Sequence, residues 1–314
     1  MRVAPTIVPT VEQKKELTKL SRSNSLRIKE TDNVSDICVA HLIRKKNGLE
    51  PFRNFLDSYL KHPAGIDHDL LIVYKGFYRR AEMATYEELL KEIPHSCLRV
   101  ADFGFDLRPY FIAAKKHHSK YFCFLNSFSI ILDKDWLLKL YRQISQPGVG
   151  LAGATGSWGS IRPGREAKHE LPWYKKLARK WLGTYFGIYF ERFPNYHIRT
   201  NGFMITRDNM LKIRRGIILT KMHAWILESG KSSITRQIER LGLRPVVVGK
   251  DGKGYDKHEW DVSNTFRRGT QNNLLISDNQ TRKFDAASPE WRRNGEIFAW
   301  GKLANVPRDN MESK

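Results

Sequence analysis

Between residues 35 and 160 the chain alternates between two hydrophobic periods. Short, nearly unbroken apolar runs are each followed by a polar turn and a segment with apolar residues at helical spacing. "DICVAHLI" (36–43) leads through "RKKNG" into "LEPFRNFLDSYLK", and "HDLLIVYKGF" (68–77) leads into "TYEELLKEI", where Thr85 with Glu88 three residues on reads as a capping box. "CLRVADFGF" precedes "DLRPYFIAAKKHH", "KYFCFLN" precedes "DKDWLLKLYRQI" with Asp133 as its expected cap, and "GVGLAGATGSW" is a fifth strand ending in small residues. Runs that do not alternate belong to strands buried on both faces. Five such strand-and-helix units in about 125 residues predict right-handed crossovers, and so an α/β fold with a mostly parallel central sheet flanked by helices. Ligands of such sheets bind at the carboxyl ends of the strands.

The rest is less regular. Residues 1–34 read as a basic tail, flexible apart from a short helix at "VEQKKELTKL", and 35–160 as the first half of the domain. In 161–250, "HIRTNGFMIT" and "RPVVVG" are expected strands and "SSITRQIERLG" a helix stopped by Gly242. From 251 to 314 a long polar stretch and tail lack periodicity, which in a compact protein marks a functional or disordered segment.

Composition narrows this modestly. A chain of 314 residues with 41% hydrophobic and 28% charged residues suits a soluble globular protein, and no apolar run reaches the ~20 residues that cross a bilayer. "MRVAPTIVPTVEQKK" has no continuous apolar stretch, so a secretory leader is not expected and a cytoplasmic location is. Cys38, Cys97 and Cys123 lack metal-ligand spacing and read as reduced core residues. The net charge of +21 is the outlier and implies an anionic partner: nucleic acid, an acidic lipid surface or a phosphate-bearing substrate.

Two motifs promise more than they carry. "ESGKSS" (228–233) holds the Gly-Lys-Ser of a phosphate loop, but the full pattern requires glycine where Trp225 stands, so a polar turn capping a helix is the better reading. Asp133 and Asp135 form a literal Asp-x-Asp, yet they stand where a helix begins, and satisfying free backbone N–H groups there accounts for both.

Taken in order, the segments resemble the GT-A glycosyltransferases, especially the family-2-like bacterial enzymes that build surface polysaccharides. "VAHLIRKKNGLEPFRNFLDSYL" is similar to their first strand, loop and helix, and "HDLLIVYKGF" to their second strand. "DFGFDLRPYFIAA" resembles the glycine-bearing turn and helix set against the nucleotide. "FCFLNSFSIIL" stands where the strand ends in an Asp-x-Asp, and "ESGKSSITRQIERLGLRPVVVG" resembles their acidic residue, helix and strand. The resemblance covers about residues 35–250.

It implies a Rossmann-like, nucleotide-sugar-binding first half, an acceptor and catalytic region over 161–250, and a C-terminal stretch, 251–314, packing on the site. It implies transfer of a sugar from a nucleotide donor to a hydroxyl, inverting, in polysaccharide or glycolipid biosynthesis. Glu228 is the expected general base. His41, Arg44, Lys75, Gly104, Asp106, Asn126 and Ser127 are expected on the donor side, with Lys45 and Lys46 beside them, and Trp158, Asn201 and Gly202 on the acceptor side. The metal ligands stay unassigned, because Asn126 and Ser127 occupy the aspartate position. Their neutral oxygens would hold Mg²⁺ or Mn²⁺ weakly, unless the diphosphate supplied the negative charge, and cations at the strand ends are the alternative. His258 is a candidate late metal ligand or an exposed loop residue.

Residues 173–190 carry four basic residues among aromatic ones, the composition of a helix at an anionic membrane surface or of an ordinary packed helix. A glycan or lipid-linked acceptor and a peripheral position at the inner membrane face would follow from the first. The rival readings are a nucleic-acid binder or DNA-modifying glycosyltransferase, and an inactive GT-A-like scaffold.

Overall fold

The computed structural model describes residues 35–162, 183–216, 218 and 220–301. Its centre is one eight-stranded sheet built from β1 (Ile37–Arg44), β2 (Asp69–Lys75), β3 (Ser96–Val100), β4 (Tyr121–Leu125), β6 (Val149–Gly153), β9 (Gly202–Thr206), β10 (Arg244–Val248) and β11 (Gly254–Tyr255). Two minor pairs, β5 (Ile130–Ile131) with β12 (Ile276–Ser277) and β7 (Gly156–Ser157) with β8 (His197–Ile198), lie beyond it. Across the main sheet the order is β11, β10, β6, β9, β4, β1, β2, β3. β1 runs parallel to β2 and β4, β2 to β3, and β6 to β10, while β9 lies antiparallel between β4 and β6. The chain moves outward from β1 through β2 to β3, then crosses back to β4. That reversal opens a crevice at the carboxyl ends of β1 and β4.

Both faces of the sheet are buried, which is why its strands read as unbroken apolar runs. Cys38, Ala40 and Leu42 of β1 pack toward α3 (Leu107–Lys116), α5 (Arg207–Lys212), α6 (Lys221–Ser229) and α7 (Ile234–Arg240). Ile37, Val39 and Ile43, the alternate residues, pack toward α1 (Glu50–Lys61), α2 (Ala84–Leu89) and α4 (Trp136–Ile144). The polar stretch after 250 is ordered around buried Trp260, Phe266 and Leu274 to Ile276, and ends in two helices, α8 (Asn279–Asp285) and α9 (Pro289–Trp300).

The structure corrects several local expectations. Thr85 lies inside α2 rather than opening it, because the start signal falls earlier: the Glu82 carboxylate accepts from the Tyr78 and Arg79 N–H groups, and a 3-10 turn, Arg80–Met83, runs into the helix. Asp133 caps nothing and pairs with Lys139, while Asp135, at the cap position in left-handed conformation (φ 56°), makes no cap bond with its side chain. The single strand expected over 197–206 is broken at 199–201 into β8 and β9. Gly230 to Ser232 form a turn, Ser233 caps α7, and Lys231 donates to the Gly187 carbonyl, so this is no phosphate loop. The helix placed in the first 34 residues lies outside the described residues.

Candidate functional site

Strands of an α/β sheet deliver their last side chains to one edge, and here that edge is charged. Arg44 ends β1 and reaches Asp102, just past β3, with Nε 2.8 Å from Oδ1. Lys46 joins the same carboxylate at 3.3 Å. Gly76 makes this possible: its φ is +80°, and a Cβ there would stand 2.9 Å from the Asp102 Cβ. Lys75, the last residue of β2, is buried to 1% side-chain exposure with its Nζ 3.8 Å from Asp106 Oδ1. Lys45 points elsewhere, to Glu82.

These groups perturb one another. Burial lowers Lys75 to a pKa of about 8, with Arg44 and Arg108 adding to the fall and Asp106 and Asp102 opposing it. Asp106 is half-exposed by area yet ringed by protein. Desolvation raises its carboxyl above the ordinary range, Lys75 and Arg44 oppose, and Glu228 and Asp102 add to the rise. Asp106 occupies the cap position of α3, yet its side chain makes no cap bond. Gly104, two residues earlier, turns the chain at φ +66° against the Ile218 carbonyl.

The crevice's other wall is a hydrogen-bonded turn assembly. Asn126 N–H donates to the Asn201 carbonyl at 3.2 Å, and the Ser129 hydroxyl donates to the same oxygen at 2.8 Å. The Asn201 side chain is spent on structure, accepting from Thr155 at 2.6 Å and donating to the Ile276 carbonyl at 3.4 Å. Thr200 next to it donates its N–H (3.2 Å) and hydroxyl (3.0 Å) to Glu228 Oε1. Glu228 Oε2 makes no hydrogen bond to a described residue. Arg199 completes the turn with a 2.7 Å ion pair to buried Asp278, which ties the C-terminal region to this wall.

The expected residues thus divide into two groups. Arg44, Lys75, Gly104 and Asp106 meet on one wall, and Asn126, Asn201 and Glu228 meet on the other. The two walls are close enough for Glu228 to act on Asp106 through charge. Glu228 was expected just ahead of a helix, yet it stands in the last turn of α6, where the helix dipole disfavours a carboxylate, so a structural dipole role does not explain it.

The remaining expected residues sit elsewhere. His41 is fully buried, stacked at 3.6 Å on Phe55, with neither ring nitrogen hydrogen-bonded, and burial lowers its pKa to about 3. Ser127 borders His41 with its hydroxyl buried and unpartnered. Gly202 lies in β9, and a Cβ there would stand 3.3 Å from the Ile276 side chain, which uses the space of the missing side chain. Trp158 is half-buried between Tyr196 and Trp300, its indole N–H donating to the Lys257 carbonyl at 2.8 Å. His258 is exposed and touches Tyr196. Of residues 173–190, 173–182 lie outside the described residues; 183–189 are helical, with Tyr185 and Ile188 exposed, and Phe193 is exposed just beyond. Asp102, Thr200, Arg199, Asp278 and Arg108 were not singled out from sequence. The only signal for Asp278 is its spacing to Thr281, which forms the capping box of α8.

The donor set does not suit a divalent metal. Asn126 Oδ1 already accepts from the Phe128 N–H at 2.9 Å and lies 3.2 Å from the Ser129 hydroxyl, whose one proton goes to the Asn201 carbonyl, and a neutral amide oxygen is a weak ligand for a hard cation. Asp102, Asp106 and Asp278 each face a cation, and no three His, Cys, Asp or Glu residues converge among the described residues.

The fold and this edge define an α/β protein with a charged crevice at a topological switch point. No model of a known family and no curated protein matches the chain. Among solved structures it is similar to the mannosyltransferase PcManGT from Pyrobaculum calidifontis in complex with GDP-Man and Mn²⁺, at 9% identity and a TM-score of 0.44, over 80% of this chain and 67% of that one. It is also similar to S. aureus TarS 1-349 in complex with UDP-GlcNAc, at 15% identity and a TM-score of 0.31, over 37% of this chain and 33% of that one. The longer S. aureus TarS structure matches at 14% identity and a TM-score of 0.30, with 21% of its chain covered. The match covers between 21% and 38% of the TarS chains. Likenesses this slight assign no activity.

Proposed function

We propose that the protein is a glycosyltransferase of the GT-A kind, moving a sugar from a nucleotide-sugar donor to a hydroxyl acceptor. One observation carries the reading: Arg44, Lys75 and Asp106 on one wall, and Asn126 and Glu228 on the other, share the crevice where the strand order reverses. Inverting transfer is a single displacement. The acceptor oxygen bonds to the anomeric carbon, the bond from that carbon to the diphosphate oxygen breaks, and the acceptor proton passes to a base. Glu228 is that base: Thr200 fixes Oε1, and Oε2 is left to take the proton. Asp106 meets the nucleoside's hydroxyls, and Lys75 and Arg44 meet the leaving diphosphate.

The acceptor side runs toward Trp158 and the turn at Asn201. An acceptor glycan carried on a lipid fits the exposed Tyr185 and Ile188 within the basic 173–190 stretch and Phe193 just beyond it, which would rest on an anionic membrane in polysaccharide or glycolipid assembly. Among the described residues no helix is long and apolar enough to span a membrane.

The test is a thermal-shift panel of nucleoside diphosphates and sugar nucleotides, GDP-Man and UDP-GlcNAc among them, followed by hydrolysis assays of whichever stabilises the chain. Stabilisation by a sugar nucleotide with slow hydrolysis supports the reading. Indifference to the whole panel rejects it.

A further inference from the structure

Resting on that reading, we infer that the site holds the donor's diphosphate without a divalent metal, with Lys75, Arg44 and the open N-terminus of α3 in the metal's place. The unsuitable donor set raises the question, and three independent features answer it.

The first is Lys75. An ammonium has three N–H donors, and burying it unpaired is costly. At 1% exposure Lys75 has one carboxylate within 4 Å among the described residues, Asp106 at 3.8 Å, too far for a hydrogen bond. A buried cation with its donors unspent is a receptor waiting for an anion.

The second is α3. It spans ten residues, Asp106 at its cap position makes no side-chain cap bond, and the Leu107 and Arg108 N–H groups make no hydrogen bond to a described residue. Free N–H groups at the positive end of a helix dipole bind phosphate. The turn before it carries Gly104 at φ +66°, where a Cβ would meet the Ile218 carbonyl at 2.5 Å and the Arg108 side chain at 2.7 Å, so glycine lets the chain pack this close at the helix start.

The third is the charge balance. Arg44, Lys46, Lys75 and Arg108 act here against Asp102, Asp106 and, on the facing wall, Glu228, so the crevice is net positive before a sugar-nucleotide diphosphate brings its negative charge. Arg108 lies over Phe103 at 3.9 Å with a buried Nη1 that has no partner. A divalent cation would add to a surplus already present.

Protonation follows from the same geometry. Burial lowers Lys75 to a pKa of about 8, with Asp106 and Asp102 favouring its charge and Arg44 and Arg108 disfavouring it. A diphosphate beside it favours the charged form, so binding draws in a proton and weakens as pH rises through about 8.

The experiment is isothermal titration of UDP and of GDP into the full chain, first in EDTA and then with Mn²⁺, at pH 7 and pH 9. It compares wild type with Lys75→Met and with Arg44→Gln, the latter at a one-third-exposed side chain that tolerates replacement. We expect one nucleotide to bind in EDTA with an affinity that Mn²⁺ changes by less than about twofold. Affinity should fall by up to about tenfold at pH 9. Lys75→Met should weaken binding by about tenfold or more, and Arg44→Gln by several-fold. Binding that requires Mn²⁺, or that neither variant weakens, overturns the inference and leaves the glycosyltransferase reading standing. Failure of both nucleotides under every condition overturns the inference, and it overturns the glycosyltransferase reading too when the whole panel of sugar nucleotides also fails to stabilise the chain.

Discussion

Replacing Asp278 by asparagine tests whether the C-terminal region braces the catalytic wall. Asp278 does two jobs with two oxygens. Oδ2 pairs with Arg199 at 2.7 Å, and Oδ1 accepts from the Gln280 and Thr281 N–H groups at 3.0 and 2.9 Å, capping α8. Asparagine keeps a capping oxygen and removes only the charge. Arg199, 12% exposed, is then left against the Phe266 ring at 4.1 Å with no carboxylate. Breaking a buried pair by removing one partner costs about 3–5 kcal/mol. The ring contact and the longer Arg199 to Thr155 bond at 3.4 Å offset part of this, so we expect about 3 kcal/mol. Asp278→Ala also loses the cap, about 1 kcal/mol more.

Urea unfolding followed by tryptophan fluorescence reads both values. It also reads the pH dependence: desolvation raises the Asp278 carboxyl, but Arg199 and the capping N–H groups outweigh it and hold the pKa below its ordinary value. A lowered carboxyl stabilises above the unfolded pKa of about 3.9, and that stability is lost as pH falls through the folded value. The wild type should therefore converge on the asparagine variant in strong acid. A cost below about 1 kcal/mol for Asp278→Asn at pH 7 would refute the reasoning.

Other expectations are equally concrete. Gly104→Ala should cost about 2 kcal/mol or more in thermal unfolding, because φ is +66° and a Cβ meets the Ile218 carbonyl at 2.5 Å. Gly148→Ala, at φ +79° with nothing within 4 Å, should cost only the conformational part, about 1 kcal/mol. His41→Leu should flatten the acid side of the stability curve. Burial holds His41 neutral to a pKa of about 3, so the folded state loses about 1.4 kcal/mol for each pH unit below about 6.5 until it protonates. Leucine removes that slope, and an unchanged slope would show that His41 is not buried. Thr200→Val, which deletes the 3.0 Å bond to Glu228 but keeps the backbone one, should lower turnover about tenfold with stability nearly unchanged.

Where burial dictates the pattern, the sequence was readable. The five leading strands and the helices between them announce themselves because a sheet covered on both faces leaves few polar positions within its strands. The charged residues that end those strands, Arg44 and Lys75, stand out for the same reason. What was not readable depends on partners distant in sequence. Asp102 looks like an ordinary residue after a strand until Arg44, 58 positions away, reaches it. Thr200 and Glu228 meet only because α6 docks against the break between β8 and β9. Asp106 and Asp133 carry capping chemistry by position, and the structure gives each a lysine instead. The polar run after 250 hides its order because its few apolar residues, such as Trp260 and Phe266, anchor it singly rather than periodically.

The most direct test of a donor crevice faced by a carboxylate base is Glu228→Gln, read by sugar-nucleotide binding and turnover on the same protein. The account predicts that the variant binds the donor with an affinity within about twofold of wild type while its transfer or hydrolysis falls by about 10²–10⁴-fold. Turnover equal to wild type, or donor binding lost along with turnover in a variant that folds normally, would contradict it.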